Sequence, residues 1–254
     1  MVKGSTSLSR VADSFLHYLS AHDGSTAYLI SLLILLTILL AVVPVLMGMS
    51  YAEDKHVLHW HGTNLTWACY AIPLVLCFVT FAMGMMMLIR PGRAGTRNTI
   101  LLVFVLATTT LVGLGVVLSV ETFRLEADLV YDCMATPQAS ALEAETQRLA
   151  NFKTACEVQM ARQELVTQCP DYGRYFTPGG KHEYIEQLEE DFECSGFCNY
   201  RAETLYTESE SQQRCADALA EDLFSAGVVT SATLMMYGLM LAITSACLLS
   251  YENI

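Results

Sequence analysis

The residues best equipped for chemistry in this chain are its cysteines and histidines. The stretch "DFECSGFCNY", Asp191 to Tyr200, sets Cys194 and Cys198 on either side of Ser-Gly-Phe, a spacing that suits metal ligation, thiol redox work or a structural disulfide. Nine cysteines occur in 254 residues. Cys133, Cys156, Cys169, Cys194, Cys198 and Cys215 crowd into one polar stretch, whereas Cys69, Cys77 and Cys247 lie within or at the ends of apolar runs. A zinc site wants two cysteine pairs or a Cys/His set at finger spacing, and a redox pair wants two intervening residues rather than three. An even set confined to one stretch reads as a disulfide framework, provided that the stretch faces an oxidising compartment. The "HVLHWHG" segment gathers His56, His59 and His61, which have the chemistry of a weak zinc or copper site or a pH sensor. No carboxylate or cysteine stands beside them at a ligand spacing, so they read with Trp60 and Trp67 as an interfacial belt, and no metal is expected.

Which compartment the cysteines face depends on the elements that carry them. Hydrophobic residues make up 53% of the chain and charged ones 16%, a composition of membrane proteins. Four windows, residues 27–49, 67–89, 99–120 and 225–249, lack Asp, Glu, Lys and Arg and reach the roughly 20 residues that a membrane-crossing helix needs. The link at 90–98 carries Arg90, Arg93 and Arg97 without an acid, which makes it cytoplasmic. Both termini, 1–26 and 250–254, then face the cytoplasm, and the small loop 50–66 and the large loop 121–224 face outside or a lumen. Leu8, Val11, Phe15 and Leu19 recur at helical spacing before the first window, as in an amphipathic helix lying on the membrane surface. No removable signal peptide is expected.

The large loop reads as helical. "PQASALEAETQRLANFKTACEVQMARQELVTQC" has Pro137 at a first helical position and an apolar stripe of Leu142, Leu149, Phe152, Cys156 and Met160. "DYGRYFTPGG" interrupts it, "KHEYIEQLEEDF" resumes with Tyr184, Ile185, Leu188 and Phe192, and "SQQRCADALAEDLF" runs on toward the fourth window. The expected fold class is therefore an all-α membrane protein: four transmembrane helices with a small disulfide-stapled helical ectodomain between helices 3 and 4. Cross-links would compensate for a core too small to be secure alone.

The small-loop then large-loop order, with Gln187 on a helix leading into "FECSGFCNY", resembles the tetraspanins. On that resemblance Cys194 and Gly196 take the first-cysteine and glycine places of the Cys-Cys-Gly signature, and Cys215 takes the last-cysteine place before the fourth span. Ser195 stands where the signature has its second cysteine, there is no Pro-x-Ser-Cys segment, and Cys133, Cys156 and Cys169 are additional. The resemblance implies a Cys194–Cys215 bond, a lateral organiser of partner membrane proteins that shapes the bilayer, and a lipid or sterol held between the spans. The other four cysteines are expected to pair as Cys169 with Cys198 and Cys133 with Cys156, six cysteines allowing 15 pairings in all.

The remaining features fit such a protein. Acidic residues outnumber basic ones, 26 to 14, which excludes the basic footprint of a nucleic-acid binder. No ionisable residue lies within a window, which disfavours a transporter or channel, and no nucleophile–base pair or phosphate loop suggests an enzyme. Gly227 with Ser231, and Gly238 with Ala242 and Ala246, recur every fourth residue as helix-packing positions. Cys247 lies where a thiol at the cytoplasmic end of a span can be palmitoylated. Asn64 opens an Asn-Leu-Thr glycan acceptor sequence close to the second window. Tyr172, Tyr175 and Phe176 read either as partner-binding anchors on a loop or as core rings of a small domain. Expected partners are membrane proteins in the same bilayer, and lipids; the alternative function is a dedicated accessory subunit of one large channel, respiratory or photosynthetic assembly.

Overall fold

The computed structural model describes residues 32, 35–37, 39–89, 94–160, 165–208, 211 and 213–250, and among them there are helices and no strand. The expected surface helix within 1–26 and most of the arginine link and the C-terminal tail lie outside the described residues. The chain divides into two units, Met1–Ser119 with Ala226–Ile254, and Val120–Ser225.

The first unit holds apolar helices. Helix α1, Val42–Glu53, stops at Asp54, whose backbone is extended and whose Oδ1 accepts the N–H groups of His56 at 2.7 Å and Val57 at 3.1 Å. That is the pattern of an N-cap, and α2, Lys55–Ile89, starts there. A second break falls at Gly62, φ 73°, where Thr66 Oγ1 donates back to the Gly62 and Thr63 carbonyls at 2.9 and 3.0 Å. Residues 50–66, expected as a loop, are thus helical on both sides of two short breaks, because a capping aspartate and a left-handed glycine suffice to redirect the chain.

Helix α3 runs Ala94–Tyr131, past the expected end at residue 120. At about 1.5 Å per residue it is longer than the roughly 30 Å of hydrocarbon that a bilayer presents. The extension "ETFRLEADLVY" is rich in good helix formers, and Leu129 gives it a buried contact. Among the described residues four helices are long and apolar enough to cross a membrane, at Leu35–Glu53, Lys55–Met83, Asn98–Tyr131 and Cys215–Cys247; this is a multi-pass membrane protein. Leu35, Leu39, Leu46, Phe78, Leu102, Leu106 and Met236 are exposed, the apolar outer surface that lipid tails cover without cost.

Inside the first unit the contacts are close and partly polar. A methyl group added at Gly48 of α1 would stand 2.3 Å from the Cys69 carbonyl oxygen of α2. Thr37 shares a 2.9 Å hydrogen bond with Thr244 of the last helix, and Thr80 shares one of 3.5 Å with Tyr237. Ile100 and Phe104 of α3 are buried against Met83 of α2.

The second unit completes the order of elements. A 3₁₀ turn at Cys133–Ala135 leads into α4, Pro137–Met160, and a second 3₁₀ turn at Val166–Gln168 precedes the four-residue α5, Tyr172–Tyr175. Helix α6 is Lys181–Phe192, and α7, Cys215–Ser250, carries the chain back into the first unit's sequence. The helix expected to reach residue 169 extends to Met160, and the 3₁₀ turn before Cys169 is a separate element. The core is made by Leu142 and Leu149 of α4, Ile185 and Leu188 of α6, Leu219 and Leu223 of α7, and Phe197 and Leu205 from the irregular segment between α6 and α7. Each such side chain contributes about 1.5–3 kcal/mol when fully buried.

Candidate functional site

Among its described residues, the segment from Glu193 to Arg214 has no helix of its own, so its backbone must find hydrogen-bond partners elsewhere. Buried side chains from the helices supply them. Glu143 of α4 accepts through Oε2 from the Cys198 N–H at 2.8 Å and through Oε1 from Asn199 Nδ2 at 2.7 Å. Arg214 donates to the Cys198 carbonyl at 3.2 Å and to the Val130 carbonyl of α3 at 3.3 Å, and pairs with Asp217. The ion pair holds the guanidinium above its usual pKa. One cation thereby brings Cys198 to the end of α3, beside Cys133.

The resulting disulfides correct two expected pairings. Cys133 bonds Cys198 and Cys156 bonds Cys169, in place of Cys169–Cys198 and Cys133–Cys156, while Cys194 bonds Cys215 as the resemblance implies. The Cα atoms of the three pairs are 5.6, 5.8 and 4.8 Å apart, inside the range a disulfide accepts. The turn at Val166–Gln168 returns the chain to the end of α4, which puts Cys169 beside Cys156, and Glu143 and Arg214 commit Cys198 to Cys133. Gly196 lies between the two cysteines at φ 68°, and its carbonyl accepts the Cys215 N–H at 2.9 Å. Ser195, fully buried, donates from Oγ to the Glu203 carbonyl at 2.7 Å.

A second polar lock holds the strap Glu203–Thr207. Glu189 of α6 is fully buried; its Oε2 accepts the N–H groups of Leu205 at 2.9 Å and Tyr206 at 2.8 Å, and its Oε1 also accepts from Leu205 at 3.2 Å. Lys153 of α4 donates to the Thr204 carbonyl at 2.8 Å, and the Val166 N–H donates to the Leu205 carbonyl at 2.9 Å. Burial pushes the Glu189 carboxyl up to about 7, against the opposing pull of the Tyr206 and Leu205 N–H groups and of Lys153.

Around that lock the aromatic side chains of α4, α5 and α6 gather. Phe152 has Tyr175 and Phe176 at ring separations of 5.7 and 5.4 Å, Tyr172 stacks on Phe176 at 5.1 Å, and His182 lies 5.6 Å from Phe176. The Arg148 guanidinium sits 5.1 Å above the Phe176 ring, a cation–π contact. Tyr172 and Tyr206 share a 3.1 Å hydrogen bond, and burial raises the pKa of both phenols. Of the three rings read as partner anchors, Phe176 is buried at 4% exposure and Tyr175 is exposed at 57%. Phe176 therefore belongs to the core, Tyr172 joins core to surface, and Tyr175 alone of the three is exposed.

In the last helix, the small residues divide. Gly238 meets α3, where an added methyl would stand 2.8 Å from Val112 Cγ2 and 3.4 Å from the Thr108 carbonyl. Gly227 and Ser231 are buried, Ala242 is half-buried, and Ala246 and Cys247 are exposed. Gly115 of α3, absent from the sequence-based set, faces the Ser231 carbonyl at 3.0 Å from an added methyl. His59 packs edge-on to Trp60 at 5.8 Å and His61 lies 6.0 Å from Tyr51; among the described residues no group of three or more His, Cys, Asp or Glu is disposed to hold a metal ion.

Sequence reasoning missed Glu143, Lys153 and Glu189, although their positions carried a signal. Ala139, Glu143, Thr146, Ala150 and Lys153 share one buried face of α4, and Glu189 follows Ile185 by one turn. A charge on an apolar face is either a fault or a lock, and here it is a lock. No protein-family model, no curated protein and no solved structure matches the chain.

Proposed function

We propose that the protein is a non-enzymatic, tetraspanin-like membrane organiser, with the arginine link 90–98 cytoplasmic and the unit Val120–Ser225 on the outer or lumenal side, where it engages partner membrane proteins. The observation that carries this reading is the Cys194–Cys215 bond closing over Gly196 in its left-handed turn: the positions that carry the family resemblance are joined to each other and held by hydrogen bonds to the start of α7. The three disulfides of that unit support an oxidising compartment, since such bonds are rare in the cytosol. Tyr175 is the exposed ring on the aromatic cluster and serves as the partner anchor. Cys247, exposed on the last helix, is the proposed palmitoylation site.

Purification of the full-length protein in mild detergent tests this. The expected result is several partners at substoichiometric ratios, with Tyr175→Ser lowering their recovery at unchanged surface expression. One partner set in fixed 1:1 ratio would replace the organiser with a dedicated subunit of a single assembly. Unchanged recovery with Tyr175→Ser would remove the anchor assignment alone.

A further inference from the structure

The aromatic cluster of the second unit reaches solvent along one edge. Phe152 and Tyr172 are half-buried and Tyr175 is exposed, and two arginines stand beside them. The Arg148 guanidinium lies 5.1 Å above the Phe176 ring, and its side chain is 57% exposed. Its ion-pair partner, Glu145, is 3.6 Å away, beyond hydrogen-bonding distance. Arg174, next to Tyr175 on α5, is also exposed. Stacking on a ring sets the plane of Arg148 and leaves the N–H groups at its edge for an acceptor. In that state an arginine can grip a carboxylate through two parallel hydrogen bonds.

We propose that Arg148, Arg174 and Tyr175 form a docking surface for an acidic peptide segment of a partner membrane protein.

This rests on the organiser reading and names the partner's chemistry. Charge selects the occupant. Acidic residues outnumber basic ones 26 to 14 in the chain, and the excess lies mainly within Val120–Ser225. An acidic segment is therefore repelled over most of this unit and drawn to the edge where arginines stand in solvent, which gives the contact one location and one orientation. Two of the neighbouring carboxylates are engaged within the unit. Glu145 pairs with Arg148, and Glu183 Oε1 accepts the Gly179 N–H at 3.0 Å. Asp171, whose carbonyl accepts the Arg174 N–H, offsets part of the Arg174 charge, so Arg148 carries the larger share. Tyrosine and arginine are the residue types that dominate binding at interfaces, the ring by the area it buries and the arginine by the direction of its donors.

Titration of the full-length protein, in nanodiscs of uncharged lipid, with a short fluorescein-labelled peptide of alternating glutamate and leucine tests this. Saturable binding is expected, weakening by about tenfold or more between about 50 mM and about 500 mM salt. Arg148→Gln should weaken it by about tenfold, and Arg148→Lys, which keeps the charge without the planar fork, by a smaller factor. Both variants are compared at unchanged circular dichroism and with all six cysteines of the unit oxidised; if Arg148→Gln does not fold, Arg174→Gln takes its place. The same peptide with glutamine for glutamate should not bind. Absence of saturable binding, equal binding by wild type and a folded arginine variant, or equal binding of the glutamine peptide overturns the acidic assignment. Failure of the organiser reading looks different. It is read in partner stoichiometry, and a single partner in fixed ratio removes that reading while peptide binding that depends on Arg148 still supports the surface.

Discussion

At Gly196 the backbone turns through φ 68°, and a methyl group there would stand 2.1 Å from the Asn199 carbonyl oxygen. Both facts demand glycine: a side chain would be strained by the conformation and would strike main chain that Glu143 fixes from the other side. Gly196→Ala should cost about 3 kcal/mol or more, read as a fall in the thermal midpoint of the second unit and as free thiols at Cys194 or Cys215 in unreduced protein. Wild-type stability with all six cysteines oxidised would show that the turn is not under this constraint. The Cys-Ser-Gly motif was legible because type and spacing were enough. The partners of Cys133 and Cys198 were not, because they are chosen by Glu143 and Arg214, whose roles depend on where α3, α4 and α7 end. Phe176 was ambiguous for a related reason: a ring in a turn-rich stretch reads as displayed until Phe152, His182 and Arg148 are seen to enclose it.

Helices were the most legible elements, and their breaks the least. Long apolar windows announce spans by length alone, and "SQQRCADALAEDLF" reads as running into the fourth, as α7 does from Cys215; yet α3 continues past its window to Tyr131, since good helix formers continue after apolar ones stop. Asp54 and Gly62 divide residues 50–66 through a cap and a single dihedral angle, neither of which has a periodic signature. Helix contact in a membrane also depends on which glycine lies opposite a backbone. At Gly48 an added methyl would meet the Cys69 carbonyl at 2.3 Å and Tyr70 Cα at 3.1 Å, whereas at Gly113 it would meet nothing within 4 Å. Gly48→Ala should therefore lower stability by about 3 kcal/mol, because the obstacle is main chain of α2. Gly113→Ala should be neutral or favourable by about 0.5–1 kcal/mol, since alanine is the better helix former. Thermal unfolding in nanodiscs followed by circular dichroism separates the two, and equal losses would mean that α1 and α2 do not meet at Gly48.

For the whole molecule, the order of charge, span and cysteine makes one arrangement coherent. Arg90, Arg93 and Arg97 lie in the link between the second and third windows, and basic residues in short links stay in the cytoplasm. In the proposed topology that link is cytoplasmic, and α3, crossing once, would carry the polar unit that follows it to the opposite side. The same unit contains all three disulfides, whereas the free cysteines Cys69, Cys77 and Cys247 lie on apolar helices; disulfides are rare in the cytosol, which supports the proposed outer or lumenal side for that unit. Charge acts on sidedness at insertion and thiol oxidation at folding, so the proposed topology makes an independent demand on each. Protease added to sealed right-side-out vesicles should accordingly cut within Val120–Ser225, with fragments that separate only after reduction, because each disulfide closes a loop of that unit. The link around Arg90–Arg97 should be cut only after the membrane is opened. Cleavage at the link in sealed vesicles, with the Val120–Ser225 unit spared, would invert the orientation and leave three disulfides facing a reducing compartment, which would sink the topology and with it the outer-side partner surface at Tyr175.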